Sequence, residues 1–464
     1  MENIFQRFPH IGEAILSNLD NENLVNCNGI NQDWQDFIAQ QKLPWIRMIK
    51  KNICPLTKVP DSWLKFLSKT PINIVKAFAL DVKNIHTADL KKSNVFKSVS
   101  PLHISAAFGN LKVCKYILTK ADDKNPKTES GLTPLHLAAH YGYFEVTKII
   151  MDNAVDKNPS NEEGCTPLFL AAKAGNFDIV EMIIENIKDA NPPSKWGRLP
   201  LYSAAFNGHL EICKMIMDHL VDKNPPGIIE SGVTPFHAAA QEGHLEICST
   251  IMEALNNINP RNNNGQTPLF RAAQNGHFQI CQSIIANTDD KNLPDNLGNT
   301  PLHIAATFGH LDICKAIIDT LDDKNPRNNE GATPLYFAAH NGHLKICLLI
   351  LANVDKKNLP DNLGNTPLHI AAFYGHYEIC RAFIETLDNK NPMNNNGKTP
   401  SCVATEQGHL EICKLFVSQM EAKYILLNIL ALGSGNSLKN IAVGSSVFLA
   451  GMLTAAFCVY RMSK

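Results

Sequence analysis

Apolar and polar positions recur along most of the chain with a period of 33 residues. Each period opens with a proline and a short apolar run, and a glycine follows eight residues after the proline. A second run places apolar residues at helical spacing, as Leu210, Ile212, Cys213 and Ile216 do. A polar turn of the type Asp-Lys-Asn-Pro then closes the period. This pattern predicts two short helices and one turn per period, and therefore an all-α fold.

The repeat is easiest to count on its proline. This residue recurs ten times, with a single spacing of 35 between the fourth and fifth copies: Pro101, Pro134, Pro167, Pro200, Pro235, Pro268, Pro301, Pro334, Pro367 and Pro400. Ten copies at this period predict a solenoid of about ten units over residues 96–420. The threonine before the proline, such as Thr133, predicts an N-cap, and the glycine predicts a left-handed helix end. A stretch of sixteen residues is identical at 291–306 and 357–372, which indicates a recent duplication.

These units resemble the ankyrin repeat through their Thr-Pro-Leu-His, Ala-Ala and Gly-His motifs and their terminal Asp–Asn turn. The resemblance covers residues 96–420. It implies a stack of antiparallel helix pairs whose turns project as fingers to one side. Repeat four departs from the pattern at Leu199 and Tyr202, and repeat ten departs over residues 400–405, as a C-terminal capping repeat does.

The recurring histidines and cysteines allow two interpretations. Gly-His-x-x-x-Cys recurs from His209 and Cys213 to His409 and Cys413, and this spacing can bind zinc. Each unit offers only two ligands where a tetrahedral ion needs four, so we predict no metal site and no cofactor. The thirteen cysteines predict free thiols in a reducing compartment. The ankyrin resemblance implies that a second histidine series is structural and hydrogen-bonds turn backbone: His103, His136, His237, His303 and His369.

The first 54 residues are predicted to form a separate module, joined to the solenoid by a helical linker or cap over residues 55–95. Residues 8–45 hold two apolar helical segments and two tryptophans, which is more apolar surface than so short a unit buries alone. They resemble the three-helix F-box, which binds the Skp adaptor of cullin–RING ubiquitin ligases, although Phe8 and Gly29 depart from its pattern. The resemblance implies an adaptor-binding face formed by Phe8, Pro9, Ile11, Ile15, Leu16, Leu19, Leu24, Val25, Ile30 and Trp34. The alternative is a helical cap on the solenoid.

The C-terminal tail, residues 421–464, differs from the repeats in composition. Residues 441–460 carry no charge, while Lys439 precedes them and Arg461 and Lys464 follow. Twenty mostly apolar residues are long enough to cross a bilayer as a helix. We therefore predict a transmembrane tail anchor, the alternative being a terminal helix buried on the end of the solenoid. Residues 1–20 lack the apolar core of a secretory signal, so we expect a cytoplasmic protein, anchored to an intracellular membrane with its repeats facing the cytosol.

The charge balance and the motifs narrow the function to protein binding. A formal net charge of −1 argues against a nucleic-acid partner, which needs a basic face. The sequence contains no phosphate-binding loop, nucleophile elbow or His-Glu-x-x-His motif, so we predict a non-catalytic protein. The F-box resemblance implies the substrate-recognition subunit of a Skp–cullin–F-box ligase. The alternative is a membrane-anchored ankyrin scaffold or tether without a ubiquitin role.

The target is expected to bind in the groove of the ankyrin stack. The groove positions lie between the Ala pair and the glycine of each unit, and they vary from unit to unit while the flanking residues do not. Aromatic side chains there are suited to interface anchors because they bury a large area with few rotatable bonds. The candidate target-binding residues are Phe108, His140, Tyr141, Phe206, Phe308, Phe373 and Tyr374.

Overall fold

A computed structural model describes Val75, residues 99–227 and residues 232–418. Val75 is helical and buried. The predicted F-box-like module with its ten adaptor-binding residues, the rest of the 55–95 linker, and the tail with its apolar segment 441–460 all lie outside the described residues. Within the described residues, no helix is long and apolar enough to cross a membrane.

The described residues are all-helical and form ten helix pairs. The first helix of each pair begins at the repeated proline, and a second helix follows after a short connection. The helices are α1 Pro101–Ala107, α2 Leu111–Lys120, α3 Pro134–Tyr141, α4 Phe144–Asn153, α5 Pro167–Ala174, α6 Phe177–Ile184, α7 Pro200–Phe206, α8 Leu210–Asp218, α9 Pro235–Glu242, α10 Leu245–Ala254, α11 Pro268–Asn275, α12 Phe278–Ala286, α13 Pro301–Phe308, α14 Leu311–Ile318, α15 Pro334–His340, α16 Leu344–Asn353, α17 Pro367–Tyr374, α18 Tyr377–Thr386, α19 Pro400–Glu406 and α20 410–418. The chain divides into two compact units after Pro235. Unit one contains α1 to α8, and unit two begins inside α9.

The first helices start where the sequence predicts. Thr133 has extended backbone, and its hydroxyl accepts a hydrogen bond from the His136 N–H, while Pro134 occupies the first helical turn, where no backbone donor is needed. Repeat four lacks this cap because Leu199 replaces the threonine, yet its helix still begins at Pro200. The predicted N-caps and helix starts are therefore confirmed.

The core lies between the helices of each pair and between neighbouring pairs. The leucine after the proline, the Ala pair and the apolar residues of the second helix are almost fully buried, as at Leu335, Ala338, Ala339, Cys347 and Ile350. First helices of adjacent repeats pack most closely on one another. The small Ala side chains permit this approach, and burying the larger residues supplies the main stabilising free energy.

In most repeats a glycine and a histidine of the following repeat lie against each other. Gly309 has φ +83° and ends α13 in the left-handed conformation, as predicted. A side chain at this position would also overlap the His343 ring, because an added Cβ would lie 2.7 Å from its Cε1 atom. His343 Nε2 lies 3.0 Å from the Thr307 carbonyl oxygen and donates to it. The glycine is thus required both by its backbone angle and by the neighbouring ring.

Candidate protein-binding surface

The buried histidines at the third position of the first helices fasten the fingers to the stack. His303 Nδ1 accepts the Thr300 backbone N–H at 3.1 Å, and its Nε2 donates to the Ala332 carbonyl in the next repeat at 3.2 Å. Burial lowers the pKa of His303 to about 4, so the ring is neutral at pH 7. His103, His136 and His369 make the same two hydrogen bonds. His237 makes the same Nε2 bond to the next repeat. Their predicted structural role is confirmed.

The Gly-His-x-x-x-Cys series is also used for packing. His409 Nε2 donates to the Phe373 carbonyl at 2.9 Å, as His343 does to Thr307. Cys347 is fully buried, and burial raises the pKa of its thiol to about 12, which leaves it protonated and unreactive. Among residues 99–227 and 232–418 no group of three His, Cys, Asp or Glu side chains has an arrangement that could hold a metal ion.

Each finger is a tight turn held by its own polar side chains. In the finger at 295–299, the Asp295 carboxylate accepts the backbone N–H groups of Leu297 and Asn299 at 2.9 and 2.8 Å. Gly298 takes φ +80° at the tip. The finger at 361–365 is built in the same way, since Asp361 accepts the N–H groups of Leu363 and Asn365. The identical sequence stretches therefore form identical fingers.

Adjacent fingers of unit two are linked by a ladder of asparagines. The Asn296 side-chain amide donates to the Asn263 carbonyl at 2.8 Å, and Asn329, Asn362 and Asn395 each repeat this bond to the preceding asparagine at 3.0–3.1 Å. At this position unit one has Glu129, Glu162 and Lys195. The side-chain ladder is thus a feature of unit two, and the sequence analysis did not predict it.

The groove positions of unit one are unevenly exposed. Tyr141 is exposed and its ring lies 4.9 Å from that of His140, edge to face. Phe206 stacks on Tyr202 of its own helix at 6.1 Å. Phe108 is only half-buried rather than exposed, and Ala107 beside it is buried. The structure therefore places His140 and Tyr141 together, while Phe108 and Phe206 lie in other repeats.

The groove positions of unit two bring several aromatic rings together. Tyr374 is 45% exposed and its ring centroid lies 4.3 Å from that of His340 in the preceding repeat and 5.0 Å from Phe373. Phe308, 50% exposed, lies one repeat further toward the N-terminus and stacks on His310. Tyr374 likewise stacks on His376, with ring centroids 6.3 Å apart. We call Phe308, His340, Phe373 and Tyr374 the aromatic surface.

A half-buried phenol and a carboxylate lie close together near the aromatic surface. Tyr336 occupies the position of the structural histidine in its repeat, and its hydroxyl lies near the Asp361 carboxylate of the next finger. Burial, together with this carboxylate, raises the pKa of Tyr336 to about 12, so its hydroxyl stays protonated. Asp361 in turn accepts backbone N–H groups within its own finger.

The fold of the described residues is a helical-repeat stack, a class of fold whose extended surfaces serve protein–protein interaction. The model of the family "Ankyrin repeats (3 copies)" matches five overlapping stretches, residues 68–161, 150–227, 221–295, 278–361 and 348–426. The chain belongs to this family of ankyrin-repeat proteins. A search of curated proteins found no match. The family membership supports a non-catalytic protein-binding role.

Proposed function

We propose that this protein is the substrate-recognition subunit of a Skp–cullin–F-box ubiquitin ligase and that it captures its target protein through the aromatic surface. The observation that carries target binding is the set of Phe308, Phe373 and Tyr374, which are 42–50% exposed at groove positions of the seventh and ninth repeats. Exposed aromatics supported by rigid packing are typical interface anchors. The ligase role rests on the F-box resemblance of residues 8–45.

In this proposal the chain contributes position rather than chemistry. The N-terminal module would bind the Skp adaptor through the apolar face that includes Leu24 and Trp34. The ankyrin stack would hold the target near the charged ubiquitin-carrying enzyme, which raises its effective concentration at the reacting thioester. No residue of this chain takes part in the covalent steps.

The target arm is tested by changing Phe308, Phe373 and Tyr374 together to Ala and identifying proteins that co-purify with the full-length chain. We expect the target to be lost and the adaptor to remain. The matched control changes Phe278 and Tyr377 to Ala, because these aromatics are 37% exposed in the same unit but lie on second helices. Equal target recovery in both variants would count against the aromatic surface.

The adaptor arm is tested with Leu24→Ala and Trp34→Ala in the full-length chain. We expect the Skp adaptor to stop co-purifying because buried apolar anchors carry most of the binding energy at such interfaces. Thermal unfolding of the ankyrin stack should change little. A large fall in stack stability with adaptor binding intact would instead support the N-terminal cap.

A second candidate, a membrane-anchored scaffold or tether, is favoured by the uncharged segment 441–460. It requires membrane association but no adaptor. Full-length protein that fractionates with membranes and brings down no Skp adaptor would support the tether over the ligase subunit.

A further inference from the structure

The tips of the fingers in unit two form a regular row. The carbonyl of each tip residue accepts a backbone N–H of the following finger: Asn296 donates to Asn264, Asn329 to Leu297, Asn362 to Glu330 and Asn395 to Leu363, at 2.9–3.1 Å. We call the tip residues the fingertip row; they are Asn264, Leu297, Glu330, Leu363 and Asn396. These bonds and the asparagine ladder hold the tips in fixed register.

Two tips in this row carry large apolar side chains in the open. Leu297 is 66% exposed and Leu363 is 64% exposed, on the two fingers with identical sequence. Each finger is braced by an arginine of the preceding repeat, since Arg261 donates to the Pro294 carbonyl at 2.7 Å and Arg327 to the Pro360 carbonyl at 2.6 Å. Neither leucine contributes to the buried core. The fold therefore displays the same apolar group twice, two repeats apart.

The spacing of the two leucines selects the shape of a ligand. Packed helices lie about 8–10 Å apart, so the two tips are separated by about 16–20 Å. An α-helix rises about 1.5 Å per residue, so positions i, i+7 and i+14, which share one face, span about 21 Å, just above the upper end of this range. Glu330 is exposed midway between Leu297 and Leu363 in the fingertip row. A ligand helix whose positions i and i+14 lie over the two leucines would place its position i+7 over Glu330. A β-strand fits less well. When two of its residues six positions apart face the surface, the residue midway between them points away from it.

We propose that the fingertip row is a docking surface for an amphipathic helix of a partner protein that carries apolar side chains about 14 residues apart and a lysine or arginine midway between them. The apolar pair would cover Leu297 and Leu363, and the cation would meet the Glu330 carboxylate. This surface is distinct from the aromatic surface and does not depend on the F-box or on ligase activity.

The test uses full-length protein and an alanine-based helical peptide with Leu at i and i+14 and Lys at i+7, with binding measured by fluorescence anisotropy. Two comparison peptides have the same length and the same number of leucines. One exchanges the Lys for Glu, and the other places the second Leu at i+9, on the opposite face of the helix. We expect the Glu peptide to bind about threefold more weakly and the i+9 peptide about tenfold more weakly.

The chain provides its own matched variants. Asn264 and Asn396 occupy the tip position in sister fingers, so Leu297→Asn and Leu363→Asn place a residue there that this turn already accepts. Each change should weaken binding of the Lys peptide about tenfold without lowering the thermal stability of the protein. Glu330→Lys should reverse the preference, so that the Glu peptide binds more tightly than the Lys peptide. The variant in which Phe308, Phe373 and Tyr374 are all changed to Ala should still bind the peptide. That result would distinguish the fingertip row from the aromatic surface. Absence of peptide binding, or equal binding by the Leu→Asn variants, would overturn the proposal.

Discussion

Mild acid should destabilise the ankyrin stack because its buried histidines are held neutral. Burial lowers the pKa to about 4 at His103, His136, His237 and His303. In each ring Nε2 donates to a carbonyl of the next repeat. At His103, His136 and His303, Nδ1 accepts a backbone N–H, so a proton added there would abolish that bond. Protonation therefore opposes the folded state.

The sign and size follow from proton linkage. In the unfolded chain these histidines titrate near pH 6.5, so between pH 6.5 and 4 the unfolded chain binds more protons than the folded one. Stability is complete above pH 6.5 and falls as the pH drops toward 4. From pH 7 to pH 5 each ring costs about 1.8 kcal/mol, and the two in each unit cost about 3–4 kcal/mol. That is a large share of the roughly 5–15 kcal/mol that stabilises a typical domain.

The measurement is urea unfolding of the full-length chain at pH 7, 6, 5.5 and 5, followed by far-ultraviolet circular dichroism. The free energy of unfolding should fall with a slope approaching about 1.36 kcal/mol per pH unit for each histidine involved. Few carboxylates titrate above pH 5, so this window isolates the imidazoles.

The matched variant is His303→Phe, because Phe169 and Phe270 occupy the same position in sister repeats and are buried there. The variant loses the hydrogen bonds of both ring nitrogens and should be less stable at pH 7 by about 1–3 kcal/mol. Its stability should nevertheless depend less on pH, by one proton. A wild-type stability that stays flat from pH 7 to 5, or an unchanged slope in His303→Phe, would refute the reasoning.

Three further changes test the fingers and the tail. Gly364→Ala should destabilise the protein by about 1–3 kcal/mol more than Gly397→Ala. Both glycines have positive φ, but only at Gly364 would the added Cβ meet a neighbouring atom, the Asn395 backbone nitrogen at 2.6 Å. Equal unfolding midpoints of the two variants would contradict this prediction. Asn329→Ala should cost about 0.5–1.5 kcal/mol in urea unfolding by removing one bond of the ladder, and an unchanged midpoint would show that the ladder adds nothing. Deleting residues 436–464 should release the protein from membranes without unfolding it, and full-length protein extracted by alkaline carbonate would argue against an anchor.

The repeat architecture could be predicted because its signals are local. A Thr-Pro pair such as Thr133 and Pro134 starts a helix, and a glycine such as Gly309 ends one. Counting these signals along the chain gives the 33-residue period. The ankyrin resemblance added the structural role of histidines such as His136, and the structure confirms it. The F-box module, the tail anchor and the cellular location stay predictions, since they concern residues outside the described part or properties that coordinates do not carry.

The asparagine ladder and the exposed surfaces could not be predicted in this way, because they depend on contacts between repeats. Asn296 and Asn329 are ordinary turn residues in the sequence, and only the stacking of fingers brings the side-chain amide of Asn329 to the backbone carbonyl of Asn296. Tyr336 likewise meets Asp361 across 25 positions of sequence, where a local pattern indicates only a departure from the usual histidine. Helix boundaries arise from hydrogen bonds spanning three or four residues, which short motifs specify. The open faces of Tyr374 and Leu363 arise instead from what neighbouring repeats cover, and packing of the whole stack decides that.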